Sequence, residues 1–449
     1  MNSHCLTMIS PIDGRYSDKT YDLNYFFSEL SFNKYRIKVE IEYLRYLNIY
    51  KVIKPLSEED VCFLNLIYSK FDLEECIKLK EIERITNHDV KSIEYYIRNK
   101  LDENDPYNTI SRYVHFGLTS QDINSTANML MIKDSLEKIM FVELDKLCDT
   151  LLNAYNVWKV VPMLGKTHGQ TASPTTVGKE FMVFYERIVN QLMALTSLDY
   201  RTKFGGANGN FNALYFAKPE IDWIQFGDNF ISSFGLLRHQ FTTQIDHYDN
   251  YSEIFDYLKR INVILVDLCQ DIWLYISRNI FIQTIDPFEV GSSTMPFKVN
   301  PINFENAEGN LLLANSMFEF FSRKLPISRM QRDLTDSTIL RNVGSSFSYM
   351  LIGIKSLLVG LHKLDINKSQ LKAELDCNYV VVTEALQTRL KVLGIKNTYE
   401  KMKELTRNYE DDKDIKKKII EFIDQLHVSD AEKDNLKSVT SHNYVGFFP

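Results

Sequence analysis

The chain has 449 residues, 45% hydrophobic and 25% charged, enough for about three domains at roughly 150 residues each and the profile of a soluble protein that buries a large core. Gly and Pro number 17 and 11, about half their usual share, which argues against turn-rich sandwiches, barrels and collagen-like chains and for long uninterrupted helices. The net charge of −7 excludes a general nucleic-acid-binding surface, which carries a basic stripe and a high pI.

From the N-terminus, Asp13-Gly14-Arg15-Tyr16 reads as a turn that exposes Arg15. Asn87-His88-Asp89 precedes an amphipathic run, with Asp89 as the expected helix N-cap. The segment 102–106 (DENDP) reads as a loop ending a first domain. Leu136, Met140, Leu144, Leu147 and Leu151 then form a helical stripe.

Residues 162–178 (PMLGKTHGQTASPTTVG) are too irregular for a bundle core. Their GKT is a fragment of a phosphate-binding loop, but Val160 stands where the first glycine is required. His168, expected just before a helix, suits general acid or base work; alone it reads equally as structural. Val177, Phe181, Phe184, Ile188, Leu192 and Leu195 repeat the helical stripe. Gly205–Asn210 (GGANGN) follows no strand signal and reads as a turn packed against its neighbours.

No Gly or Pro falls between Gly235 and Pro287. There Ile254, Leu258, Ile261, Leu265, Leu268, Ile272 and Tyr275 predict a helix of roughly 30 residues, about 45 Å long. Three such helices make a bundle, within one chain or shared between copies. His239 and His247 lack the spacing of helical metal ligands and HExxH is absent, so no catalytic metal is expected.

The segment Asp286–Pro301 (DPFEVGSSTMPFKVNP) packs four Gly or Pro into sixteen residues and carries Ser292, Ser293, Lys298 and Asn300. It reads as a long irregular loop, either functional or an ordinary connection. A serine there needs a base or nearby positive charge to react, and Lys298 supplies the charge. Arg329–Arg341 (RMQRDLTDSTILR) offers arginine forks for phosphate or carboxylate, or a helical face paired with Asp333 and Asp336. The last domain begins near 362–365, and the Lys-, Glu- and Asp-rich tail after Asn397 reads as solvated amphipathic helices.

The six cysteines (Cys5, Cys62, Cys76, Cys148, Cys269, Cys377) form no CxxC and fit neither zinc nor haem spacing. The start resembles no signal peptide, and no stretch approaches 18 consecutive apolar residues. The expected setting is cytoplasmic, with reduced thiols and no membrane partner.

Together these segments are far more specific than any one alone. GSSTMPFKVNP at 291–301 resembles the signature loop of the fumarase/aspartase superfamily. SPIDGRY (10–16), TNHDVKSIEYY (86–96), TSQDIN (119–124), KTHGQTASPTTVGKE (166–180) and RDLTDSTILRN (332–342) resemble the bacterial branch of the adenylosuccinate lyase family, in that family's order. The resemblance implies an all-α fold of three domains (1–111, 112–361 and 362–449) and a homotetramer whose central helices form a shared bundle. Each active site would draw on three copies. It implies release of fumarate from adenylosuccinate, giving AMP, and from the succinyl-carboxamide ribonucleotide SAICAR, giving AICAR, without a cofactor.

By the same resemblance His168 is the general acid, Ser292 the general base and Glu305 the carboxylate that orients the histidine. Arg15, Tyr16, Arg332, Ser337 and Arg341 match contacts at the phosphate end. Asn87, His88 and Asp89 line the nucleotide site. Thr119, Ser120, Gln244, Lys298 and Asn300 match binders of the succinyl part and its surroundings. Two positions depart from the pattern: Phe297, where the family commonly has His or Tyr, and Gln121, where bacterial relatives commonly have Glu. The competing readings are another fumarate-releasing lyase, such as argininosuccinate lyase or fumarase, and a catalytically silent scaffold.

Overall fold

The computed structural model describes residues 6–103, 108–284, 295, 297–407 and 411–448. The fold is all-α. Its strands, two or three residues long among the described residues, occur as isolated pairs. The chain forms two compact units, one of Met1–Asp145, Gln191–Val263 and Gly309–Lys355, the other of Lys146–Asn190, Ile264–Glu308 and Ser356–Pro449. Each is therefore assembled from segments distant in sequence.

The apolar stripes mark the long helices. Phe141–Trp158, Val177–Thr196, Asp249–Ser277 and Ile302–Lys324 run 18, 20, 29 and 23 residues. Ile254, Leu258, Ile261, Leu265, Leu268 and Ile272 are all buried, as is the whole stripe from Val177 to Leu195. The stripe from Leu136 to Leu151 is buried too, but its first turn, Leu136–Met140, is a π-helical turn joining Ser120–Ser135 to Phe141–Trp158. The wider turn keeps Leu136 and Met140 inward across the junction.

In the first unit, Phe255 packs on Phe318 and Phe321 with ring centroids 5.8 and 5.5 Å apart. In the second, Phe281 gathers Trp158, Phe181 and Tyr275. Gly178 is required there, since a Cβ would lie 2.6 Å from the Lys159 backbone. The charged tail is amphipathic, as its sequence suggests, and it also builds a core: Met402, Ile415, Ile419, Ile423 and Leu436 pack with Val382, Leu386 and Leu390.

No stretch holds 18 consecutive apolar residues, but one is apolar on average. The stretch Thr335–His362 is long and apolar enough to cross a membrane by composition. Its most apolar window is 72% buried inside the protein, as befits a core helix.

What positions the candidate site is a buried carboxylate. Asp122, in the first turn of Ser120–Ser135, is fully buried against the Lys203 ammonium, Oδ1 to Nζ 2.6 Å. It also accepts from the backbone N–H of Gly205 and Gly206, at 2.9 and 3.1 Å, and of Thr119 at 2.9 Å. The glycine-rich turn 205–210 thus binds an anion, and the anion is the protein's own. Gly206 has φ +78°, a left-handed conformation that suits glycine. Asp122→Asn leaves the Lys203 charge buried without a counter-ion, and removing one partner of such a pair costs about 3–5 kcal/mol. A urea-unfolding midpoint within error of the unsubstituted chain would disprove this.

Candidate active site

A cleft of about 620 Å³ in the first unit gathers many of the residues singled out from sequence: Asn87, His88, Asp89, Ser120, Arg332, Ser337 and Arg341. Gln121, Asn124, Arg36 and Glu29 are among its other polar lining residues.

The segment 87–89 is shaped by two helix ends meeting. Asn87 adopts a left-handed conformation, φ +50°, and closes Leu73–Thr86. One residue later, His88 is extended and its Nδ1 accepts the Lys91 N–H at 3.1 Å. The N-cap of Asp89–Asp102 is therefore His88, not Asp89 as expected. Asp89 becomes the first helical residue, and its carboxylate is committed elsewhere. Oδ2 lies 2.6 Å from Arg36 Nη2 and 3.1 Å from Arg341 Nη2, and Oδ1 accepts the Val90 N–H. Burial alone would raise its pKa; the Arg36 charge and hydrogen bond, with help from Val90 and Arg341, hold it below the ordinary carboxylate value.

Arg36 was not singled out from sequence. It is only 1% exposed, donates to Asn124 Oδ1 at 2.8 Å and Asn33 Oδ1 at 3.2 Å, and lies 3.7 Å above the Phe32 ring. The signal for it is present: Asn33, Arg36 and Glu40 are polar residues at helical spacing within Glu29–Ile49, and all three are buried.

Arg332 donates to the neutral Gln244 Oε1 at 3.1 Å. Among the described residues its charge faces no carboxylate partner, unlike Arg341, which also bridges to Glu29 at 3.3 Å. Arg332 is thus the cation best placed to receive an anionic ligand. The pairing foreseen for this segment is half right: Arg329 pairs with Asp333 at 3.2 Å, while Asp336 instead accepts from the Tyr248 hydroxyl at 2.7 Å and holds the Ser337 N–H at 2.7 Å. Gln121 is buried and donates to Ser337 Oγ at 3.4 Å. An ionised glutamate in its place could only accept, so the departure reverses the direction of that bond.

Other expected residues lie apart from this lining. Thr119 sits at the start of Ser120–Ser135, and Gln244 reaches the cleft through Arg332. Arg15 is exposed, its guanidinium 5.9 Å from the centre of the Tyr16 ring. Neighbours of these two, Asp13 and Ser17, line a second cleft of about 970 Å³ in the same unit, which shares Arg341 with the first.

His168, Lys298, Asn300 and Glu305 belong to the second unit. His168 does not directly precede a helix, as expected from sequence; it is at the tip of a hairpin between Lys166–Thr167 and Gln170–Thr171. His168 and Gly169 both have positive φ, +52° and +71°, the backbone of a tight primed turn. That turn presents the imidazole to solvent. Glu305 is in the first turn of Ile302–Lys324 and accepts from Trp273 Nε1 at 3.1 Å. Lys298 and Phe297 are exposed, Phe297 at 85%. Ser292 lies outside the described residues.

Comparison with known proteins adds identity to this geometry. A family model described as "Lyase" matches residues 14–314, and one described as "Adenylosuccinate lyase C-terminal" matches residues 328–445. The adenylosuccinate lyase of Dictyostelium discoideum is 48% identical, over 99% of this chain and 97% of its own length. That of Escherichia coli (strain K12) is 41% identical, over 99% and 98%. Among solved structures, a fumarate lyase from Mesorhizobium sp. BNC1 superposes with a TM-score of 0.75 at 18% identity, over 96% of this chain and 95% of that one. The 3-carboxy-cis,cis-muconate lactonizing enzyme from Pseudomonas putida does so at 0.74 and 19%, over 96% of each. At those identities the likeness establishes the fold alone.

The Arg36–Asp89–Arg341 cluster makes stability depend on acidity. Because the Asp89 pKa is depressed on folding, its contribution is fully present above the ordinary carboxylate value, about 3.9. It is lost as pH falls through the lower folded value. Asp89→Asn is expected to flatten the acid limb of stability between about pH 5 and pH 2; an unchanged slope in pH-dependent denaturation would contradict the assignment.

Proposed function

The chain belongs to the adenylosuccinate lyase family of the fumarase/aspartase superfamily, and on that premise we propose that it cleaves adenylosuccinate to AMP and fumarate, and SAICAR to AICAR and fumarate, in purine nucleotide synthesis. The likeness to adenylosuccinate lyases along 99% of the chain carries this reading. The cleft supports it: three arginines, Arg36, Arg332 and Arg341, with Ser120 and Ser337, suit a ligand bearing a phosphate and carboxylates.

The reaction is an elimination. A base takes the Cβ proton of the succinyl group, that electron pair forms the new C=C bond, and the C–N bond breaks as its nitrogen is protonated. In this reading Ser292 is the base, His168 protonates the departing nitrogen, and Glu305 orients the histidine. Negative charge builds on the adjacent carboxylate, where Lys298, Asn300, Thr119, Ser120 and Gln244 supply donors. Arg15, Tyr16, Arg332, Ser337 and Arg341 hold the phosphate end, and Asn87, His88 and Asp89 line the nucleotide. A serine hydroxyl is a poor base in water, so its reactivity depends on desolvation and nearby positive charge.

The residues assigned to acid–base chemistry and to phosphate binding come from the two units, and we assign their convergence to a homotetramer in which each site draws on several copies. Unpartnered apolar side chains support this: Val263 and Leu274 on Asp249–Ser277, Leu313 and Phe320 on Ile302–Lys324, and Val183 and Met193 on Val177–Thr196 are exposed. The three-part division at 111/112 and 361/362 and a cytoplasmic location belong to the same proposal.

Incubation with adenylosuccinate, followed by ultraviolet absorbance, is expected to show conversion to AMP. His168→Ala and Ser292→Ala are each expected to lower kcat by about 10²–10⁴-fold, the usual worth of a positioned acid or base. Normal turnover in either variant would remove that residue from the mechanism. Activity on argininosuccinate or malate in place of adenylosuccinate would remove the substrate assignment. Light scattering is expected to give a solution mass four times that of the chain, and a monomer would refute the shared site.

A further inference from the structure

His239, Asp246 and His247 have no part in the elimination chemistry, yet they form the one three-residue metal-ligand grouping found among the described residues. A ligand atom from each lies within 4.8 Å of the others. His239 Nε2 is 3.7 Å from Asp246 Oδ1, and the two imidazole rings have centroids 3.9 Å apart. The first two side chains are more than nine-tenths buried, and His239 Nε2 and Asp246 Oδ2 are both buried without a hydrogen-bond partner in the structure. Buried polar atoms left unsatisfied are costly, and two in one ligand cluster ask for an occupant.

We propose that His239, Asp246 and His247 bind a divalent transition-metal ion of the zinc class, in an open three-ligand site that clamps the loop carrying Gln244. Two imidazoles and one carboxylate favour zinc over magnesium or calcium, which prefer all-oxygen shells. Tetrahedral zinc with bonds near 2.0–2.1 Å separates its ligands by about 3.3 Å. The His239–Asp246 pair already approaches that spacing, and the half-exposed His247 is free to move to it. His247 Nδ1 lies 3.1 Å from Asp249 Oδ2, the carboxylate–histidine arrangement that leaves Nε2 as a metal ligand. Asp246 Oδ1 accepts the Tyr248 N–H at 2.7 Å, which fixes the carboxylate. Arg201, whose positive charge acts on His239, is itself paired with Asp199 at 2.9 Å.

The pattern escapes a sequence search because the two histidines are eight residues apart in a loop. They are brought together by the parallel pairing of Arg201–Thr202 with Leu237–Arg238 and by the turn at Tyr248, φ +60°. Six residues separate His239 from Asp246, and Gln244, the partner of Arg332, is among them. An ion held at both ends of that loop would fix Gln244.

The test titrates Zn²⁺ into metal-free, full-length protein by calorimetry, beside His247→Ala and Asp246→Asn. The first changes a half-exposed side chain. The second keeps an acceptor for Tyr248 while removing the charge. The expected result is one ion per chain, bound at least tenfold more weakly by both variants, with circular dichroism unchanged for His247→Ala. Absence of binding to the unsubstituted chain overturns the proposal. So does binding that both variants retain, as ions held by the exposed Cys62 and Cys377 thiols would be.

Discussion

The Asp122 carboxylate is the point on which the substrate-facing half of the first unit depends. Burying a carboxylate and an ammonium together costs several kcal/mol per ion, and their attraction offsets this only when the remaining donors and acceptors are matched. Here they are. The carboxylate meets Lys203 Nζ and the N–H groups of Thr119, Gly205 and Gly206, and the ammonium also donates to the Gly206 carbonyl at 2.6 Å. The consequence is geometric. The start of Ser120–Ser135 is tied to a turn more than eighty residues away, so Ser120 and Gln121 face the cleft at a fixed height. A helix start also carries partial positive charge, and anchoring it with an internal carboxylate spends part of that field within the protein.

A second layer of charge is built on that frame. Arg36 and Arg341 share Asp89, and Arg341 also reaches Glu29. Their positive charges are largely answered within the protein, which keeps the guanidinium planes in place without leaving strong unopposed charge. Arg332 differs, since its partner is a neutral amide. The cleft therefore combines two positioned arginines with one available for an anion. Bidentate recognition of phosphate depends on such positioning as much as on charge.

How much of this was legible in the sequence follows the range of each interaction. The stripes from Val177 to Leu195 and from Ile254 to Ile272 imprint a 3.6-residue period on adjacent positions, and every one of those residues is buried. The break between the helices Phe141–Trp158 and Val177–Thr196 was legible because Pro162, Gly165, Gly169 and Pro174 gather there, and the structure has paired two-residue strands in that stretch. Pairs such as Arg36 with Asp89 and Asp122 with Lys203 leave no local trace, because each partner alone reads as an ordinary charged residue on a helix or in a turn. The N-cap misassignment has the same root. Aspartate is the better cap by propensity, but Asp89 is drawn into an ion pair with a residue 53 positions earlier, and His88 takes the cap. The membrane-length stretch at 335–362 shows the reverse limit: composition registers its apolarity, but only packing reveals that this apolarity faces the core.

The proposed acid contrasts with the binding residues in its backbone. Ser337 and Asp89 are fixed near helix starts, Ser337 by its N–H to the Asp336 carboxylate and Asp89 by its pairing with the buried Arg36. His168 stands on a hairpin whose strands are two residues long, in a left-handed conformation that a histidine adopts at some cost. Ser292 belongs to a stretch of sequence that carries four Gly or Pro in sixteen residues. Elimination needs a substrate held rigidly and a proton donor and acceptor that engage only once water is displaced. A helical scaffold supplies the first requirement wherever the turn-forming residues are withheld. The hairpin within 162–178 holds the proposed donor on an exposed tight turn, because backbone that must turn so sharply cannot also be the interior of a long helix.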